Sequence, residues 1–233
     1  MLDTLVAGAF GHTREVGKSE AVRRHAMPRQ ASERRLGRPP DTDSVETRNR
    51  ILQIARETFA VLGFEMTTNR EIATRAGVTP AALYHYFGSK IDLYLAVHDY
   101  TQDLVYSRFS ECIRGHDTFV AQFTAILDEA HEMNRVDHSV AQFLGAVRVD
   151  VIRHPEMKVS VEPRSRQREA FFAEIVEVGI RTGEIRPESR ATILAYILTV
   201  LIGLTDAVSG DIAAQGRAVE AIKATLPSLV DMR

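Results

Sequence analysis

The sequence predicts an all-α protein, and three observations carry that expectation. From Ser44 onward apolar residues recur at three- and four-residue spacing almost everywhere, as one face of a helix requires. No stretch shows the convincing alternation of a half-buried strand. Capping residues and glycines fall where such helices would begin and end. With 233 residues, 45% hydrophobic and 26% charged, the chain suits one large domain or a small domain joined to a larger one. Its usage excludes a fully disordered or collagen-like polymer.

Taken in order, residues 1–43 show no sustained period and carry Arg34-Arg35-Leu36-Gly37-Arg38-Pro39-Pro40 near their end, so they read as a flexible basic arm. Met27, placed before that basic stretch, is a second candidate translation start. Ser44 caps a helix whose Ile51, Ala55 and Phe59 share one face and which Gly63 ends. Further helices are expected over 89–114, 118–134, 139–153, 163–182, 188–209 and 216–230. Thr118 and Pro187 mark starts, Gly183 and Gly210 mark stops, and Pro227 marks a late kink or break.

The formal net charge of −2 points away from a nucleic-acid partner when taken as an average. The charge is uneven, however: residues 1–90 balance to +4 and residues 91–233 to −6, which suggests two jobs on one chain. A single cysteine, Cys112, excludes an internal disulfide and a multi-thiolate metal site. The longest central uncharged run, Ala191 to Thr205, has 15 residues, short of the roughly 18–20 that cross a bilayer. The apolar start at Leu2, Leu5, Val6 and Phe10 lacks a preceding basic region, so it makes a poor signal peptide. A cytoplasmic chain with no membrane partner is expected.

Residues 67–90, TTNREIATRAGVTPAALYHYFGSK, are the most informative stretch. Thr68 with Glu71 three residues on is a capping box, so a helix begins at Asn69. Ala73 lets a second helix approach closely, and Gly77 suits the positive φ of a tight turn between them. Thr79 caps the second helix, with Pro80 in its first turn and Leu83 and Phe87 facing inward. This is a helix-turn-helix. The second helix, about 12 Å long at ~1.5 Å per residue, fits a DNA major groove of roughly 12 Å width. Ala81, Ala82, Tyr84, His85 and Tyr86 point outward, small residues for close approach and polar rings for base edges or phosphates. Arg70 and Lys90 flank the pair at positions suited to the two phosphate backbones. A helix pair of this kind also occurs as plain structure, with Tyr84, Tyr86 and Phe87 as core.

The letters themselves add to this. Thr67-Thr68, Glu71-Ile72-Ala73, Ala76-Gly77-Val78, Leu83-Tyr84, Tyr86-Phe87 and Ser89-Lys90 make residues 44–95 closely resemble the DNA-binding domain of the tetracycline-repressor (TetR) family of bacterial transcription regulators. The resemblance implies a three-helix N-terminal DNA-binding domain over 44–92, after an arm over 1–43, and a larger α-helical ligand-binding and dimerisation domain over 93–233. It implies DNA contact at Asn69, Arg70, Thr79, Pro80, Ala81, Ala82, Tyr84, His85, Tyr86 and Lys90. Glycine or polar residues are frequent in the family where Pro80, Ala81 and Ala82 stand, so polar base readout is reduced here. Gly37-Arg38-Pro39 resembles the centre of minor-groove hooks, which adds Arg38; a merely solvated basic tail is the equal alternative. The implied function is a ligand-responsive repressor on a double-stranded palindromic operator, with an activator or a non-enzymatic helical adaptor as alternatives.

The same resemblance implies a homodimer and a small-molecule effector. Ile193, Ile197, Leu201, Leu204 and Val208, with their neighbours, make one helix apolar on nearly all sides, so it should be covered on all sides. Together with Ile222 and Leu226 of the last helix they are the expected dimer interface, a four-helix bundle across a two-fold axis; a fully internal helix is the rival. Candidate pocket residues are Tyr106, Phe109, Phe123, Phe143, Arg148, Phe171, Phe172 and Tyr196, each aromatic residue having core packing as its plainer role. A mainly apolar pocket would take a lipophilic ligand, with Arg148 as a carboxylate partner.

Other motifs fail on spacing. Gly11 to Ser19 resembles a phosphate-binding loop, but its glycines are one residue too far apart and no buried strand precedes them. His131-Glu132 begins like a zinc-protease helix, yet Arg135 stands where the second histidine is needed. No metal, cofactor or catalytic group is expected, and so no enzyme.

Overall fold

The computed structural model describes residues 40–230, with side chains from Ser44. Arg38 and the rest of the basic arm to residue 39 lie outside them. Among the described residues every regular element is helical. The order is α1 (Pro40–Met66), α2 (Asn69–Arg75), α3 (Pro80–Tyr86), α4 (Lys90–Cys112), α5 (Phe119–Val136), α6 (His138–Arg153), α7 (Lys158–Thr182), α8 (Arg190–Asp206) and α9 (Ile212–Val230). Single 3-10 turns at Pro155–Met157 and Pro187–Ser189 lead into α7 and α8. The protein is all-α, with a helix-turn-helix followed by a larger helical body.

The expected boundaries shift in physically simple ways. The first helix begins at Pro40 rather than Ser44, since proline costs no hydrogen bond in a first turn. Gly63 breaks it as expected, at φ 72°, but one more helical turn follows to Met66. The seventh helix starts before Pro163 and carries that proline inside; Pro163 and Val159, four residues earlier, are both exposed, so water can take the one freed carbonyl. Pro227 likewise lies inside α9, near its end.

Two apolar cores form. The first gathers Ile51, Leu52 and Phe59 of α1, Ile72 of α2, Leu83 of α3 and Tyr94 of α4, and draws in Phe143 and Val147 of α6. The second holds Phe109, Phe119, Phe123, Phe172, Ile197 and Leu226 from the later helices. One helix, α4, serves both, with Leu93, Tyr94 and Val97 in the first core and Val105 and Phe109 in the second. Between them, the Tyr94 hydroxyl donates to Asp150 Oδ2 at 2.7 Å, both residues being buried.

The second core depends on a glycine. A Cβ on Gly179 would stand 2.6 Å from Ile185 Cδ1 and 2.8 Å from Phe119 Cβ, and the latter, next to backbone, cannot yield. Gly179→Ala should therefore destabilise the fold by about 2 kcal/mol and lower Tm by about 4–8 °C, as measured by a thermal melt.

One expectation needs correcting. Counted with its leading turn, Pro187–Asp206 is a 20-residue helical segment of mean hydropathy 1.3, long and apolar enough by those two criteria to cross a membrane. The count of 15 stopped at Arg190, which a helix carries at its solvent-facing end. Core helices meet the same criteria, and α8 packs on α6, α7 and α9.

Candidate nucleic-acid interface and central cavity

The helix-turn-helix forms through the local signals that predict it. Thr68 Oγ1 accepts from Glu71 N at 3.2 Å to start α2, and Thr79 Oγ1 accepts from Ala82 N at 3.1 Å to start α3. Gly77 takes φ 67° in the turn between them, and Ile72, Ala73, Leu83 and Phe87 bury the inner face. Outside stand Arg70, Thr79, Pro80, Ala81, Tyr84 and His85, all exposed, with Ala82 and Tyr86 half-buried. Tyr84 is 52% exposed, a large ring left open on a short helix.

Two of the implied DNA residues sit differently from their neighbours. Asn69, the first residue of α2, is buried, and its Oδ1 has no hydrogen-bond partner. Lys90 is half-buried; its ammonium donates to the Glu65 carbonyl at 3.1 Å and lies 4.4 Å from the Phe64 ring centre. Burial holds its pKa below the ordinary lysine value, against the opposing pull of Glu65 and Asp150. The helix N-terminus beside it is already served by Asp92, whose carboxylate accepts from Ser89 Oγ at 2.8 Å.

Arg48 and Arg50 join the same region. The Arg48 guanidinium lies over the Phe87 ring at 5.4 Å, and Arg50 Nε donates to the Ala76 carbonyl at 3.0 Å, at the C-terminus of α2. Residues two apart on a helix face different ways, so nothing in the sequence places both against the reading unit.

A cavity of about 340 Å³ lies in the body among α4 to α9. Three of the expected residues line it: Tyr106, Phe109 and Arg148. The other five do not. Phe143 belongs to the first core, Phe123 stacks on Phe119, Phe172 is fully buried, and Phe171 and Tyr196 are half-buried members of the second core. The sequence gives no signal for the polar groups that do line the cavity, chiefly His98, Gln102, Asn134, Arg168 and Gln215. His98 and Gln102, one turn apart on α4, meet at 3.2 Å, and burial pushes the His98 pKa down to about 4 despite Asp99 nearby. Asn134 donates to Gln215 Oε1 and to the Ser209 carbonyl, tying α5 to the start of α9. His131, which starts the incomplete zinc-protease motif, sits 3.0 Å from the same Gln215. Arg148 holds Asp206 through two guanidinium nitrogens, linking α6 to the end of α8.

The four residues expected at a dimer interface that are most buried already face the chain's own core: Ile193, Ile197, Leu204 and Leu226. Leu201, Val208 and Ile222 are half-buried, packed against that core. The uncovered side of α8 is instead Ala191, Ala195, Thr199 and Gly203, one residue every four.

An exposed reading helix on a helical body with an internal cavity defines the class of helix-turn-helix transcriptional regulators. Residues 51–97 match the family described as bacterial regulatory proteins, tetR family. The HTH-type transcriptional regulator UidR of Escherichia coli K12 is 28% identical over 180 residues, covering 77% of this chain and 88% of that protein. The HTH-type transcriptional repressor KstR2 of Mycolicibacterium smegmatis is 28% identical over 158 residues, 64% of this chain and 73% of its own. Among solved structures, AibR in complex with isovaleryl coenzyme A and operator DNA shares the fold, with TM-score 0.61, 19% identity, and 77% and 97% of the two chains covered.

Proposed function

We propose that this regulator is a ligand-responsive repressor: a homodimer that binds a palindromic operator in the cytoplasm and is released by a small, lipophilic effector. One observation carries the reading. The helix α4 starts against the reading unit and goes on to line the cavity with His98, Gln102, Val105, Tyr106 and Phe109, so occupancy at one end bears on position at the other. The division of labour follows the arm over 1–43, the reading unit over 44–92 and the body over 93–233, with α6 packed against both cores. The names of KstR2, a repressor, and of AibR with an acyl-coenzyme A and operator DNA support this assignment of roles. No catalytic role is proposed.

On the DNA side, Arg70 contacts phosphate, while Thr79, Pro80, Ala81, Ala82, Tyr84, His85 and Tyr86 face the groove. Asn69 acts at the helix start. Lys90 reaches phosphate by leaving the Glu65 carbonyl, and Arg38 enters the minor groove. Two such units about one DNA turn apart, ~34 Å, read a palindrome that one short helix cannot specify alone. The effector binds more tightly to the state with the wrong separation, and that difference in affinity is all that can shift the balance.

Selection from a random DNA pool, followed by mobility shift on the recovered site, tests the reading. A palindromic fragment should bind well above a random-sequence control. Arg70→Ala should weaken binding across all sequences and flatten the salt slope by about 2, one phosphate contact in each half of the dimer. A recovered sequence with no symmetry, or an unchanged slope, would argue against it.

A further inference from the structure

The charge inside the cavity is one-sided. Its lining includes the cations Arg148 and Arg168 and not one carboxylate. Arg148 is spoken for, because Asp206 holds it through two guanidinium nitrogens. Arg168 is different. Its Nε is buried and has no hydrogen-bond partner, and among the described residues it makes no ion pair. Its charge reaches its neighbours: burial lowers the pKa values of His98 and Arg148 and raises that of Tyr106, and in all three the Arg168 charge adds a smaller downward pull. Burial has the larger influence on each of the three, and it leaves His98 neutral at pH 7. Arg168 is half-buried, and a guanidinium that borders an apolar space with no counter-charge favours a bound anion there.

The rest of the wall is apolar. Val105, Phe109, Met133, Leu144, Leu198 and Leu201 supply surface that a hydrocarbon would cover. We propose that the cavity takes an amphipathic monoanion, an apolar body ending in a carboxylate, and that Arg168 on α7 is the residue that receives the carboxylate. This assignment rests on the reading of the cavity as the effector site, and it differs from the expectation that placed the carboxylate on Arg148. One free guanidinium matches one carboxylate, two oxygens against a planar fork. A polyphosphate would bring more negative charge than a single unpaired arginine offsets.

Calorimetric titration of the full chain with three probes of equal chain length tests it: decanoate, decanol and decyltrimethylammonium. Decanoate should bind about 10- to 100-fold more tightly than decanol, the worth of a charge-assisted hydrogen bond, and the cation should bind most weakly. Arg168→Gln should erase the preference while leaving decanol affinity within a few-fold of its original value. Decanol binding as tightly as decanoate overturns the assignment and leaves the effector-site reading standing; this comparison needs no variant, so it decides the matter even if Arg168→Gln fails to fold. A preference that survives intact in folded Arg168→Gln also overturns it. Saturable binding by none of the three defeats the effector-site reading itself.

Discussion

If the homodimer proposed above pairs through α8, Thr199→Arg is expected to turn it into a monomer and to lower operator affinity more than 100-fold. Thr199 is exposed in the single chain, on the open side of α8 with Ala191, Ala195 and Gly203. Its hydroxyl already bonds back to the Ala195 carbonyl at 2.8 Å, so the side chain has no role in the chain's own core. An arginine there costs the monomer little, since it points to water. Across the proposed two-fold axis the same helix would meet itself, and two arginines would face each other there. An unpaired buried charge costs several kcal/mol. Operator affinity would fall when dimerisation is lost, because two linked reading units gain from effective concentration, a factor of about 10²–10⁴. Light scattering after size exclusion gives the mass, and mobility shift gives the affinity. Thr199→Ser should leave both unchanged. A Thr199→Arg protein that stays dimeric and binds normally would move the interface off α8.

The local parts of this molecule are legible in the sequence, and the long-range parts are not. Thr68, Gly77 and Thr79 act on their own neighbours, so their roles follow from spacing, and the structure shows both threonine caps and the positive φ at Gly77, though of the Thr68–Glu71 capping box only the threonine's half. The apolar character of α8 is equally plain in its composition. Which side of it faces inward is not, because a helix apolar all round has no periodicity to read. Ile197 and Thr199, two residues apart, end on opposite sides, one buried and one exposed. The cavity is the extreme case. Arg168, Asn134 and Gln215 come from α7, α5 and α9, and only the packing of those helices brings them to one space. Aromatic residues mislead there for a physical reason: Phe123, Phe143 and Phe172 are large enough to fill a core completely, and so they do. Lys90 shows a third kind of gap. Its position at a helix start suggests phosphate, but a backbone carbonyl and a ring within its own chain hold its ammonium.

Arg56→Ala is expected to cost about 2–3 kcal/mol and to lower Tm by about 5–10 °C. Arg56 sits on α1 with its side chain only 3% exposed. Its Nε donates to Ser139 Oγ at 2.9 Å and its Nη2 to Asp137 Oδ2 at 2.5 Å. Ser139 in turn donates from its hydroxyl to Asp137 Oδ1 at 2.6 Å, and its backbone N–H donates to the same oxygen at 2.9 Å, capping α6. Three residues thus close a ring of hydrogen bonds that ties the DNA-binding end of the chain to the start of a cavity-lining helix. Truncating the arginine leaves Asp137 without its counter-charge and opens a void where the guanidinium stem stood. A fully buried pair broken this way would lose about 3–5 kcal/mol. The Asp137 side chain is 33% exposed, so water recovers part of that, and the lower figure follows. Lysine is no substitute, since one ammonium cannot span Ser139 and Asp137 as a planar fork does; Arg56→Lys should recover less than half of the loss. Double substitution gives the sharper check. With Asp137→Asn in place, removing Arg56 should cost at least 1 kcal/mol less than it does alone, because the two changes share one network. Equal costs in both backgrounds would mean that Arg56 contributes by filling space, and that the joint between α1 and α6 is held by apolar packing alone.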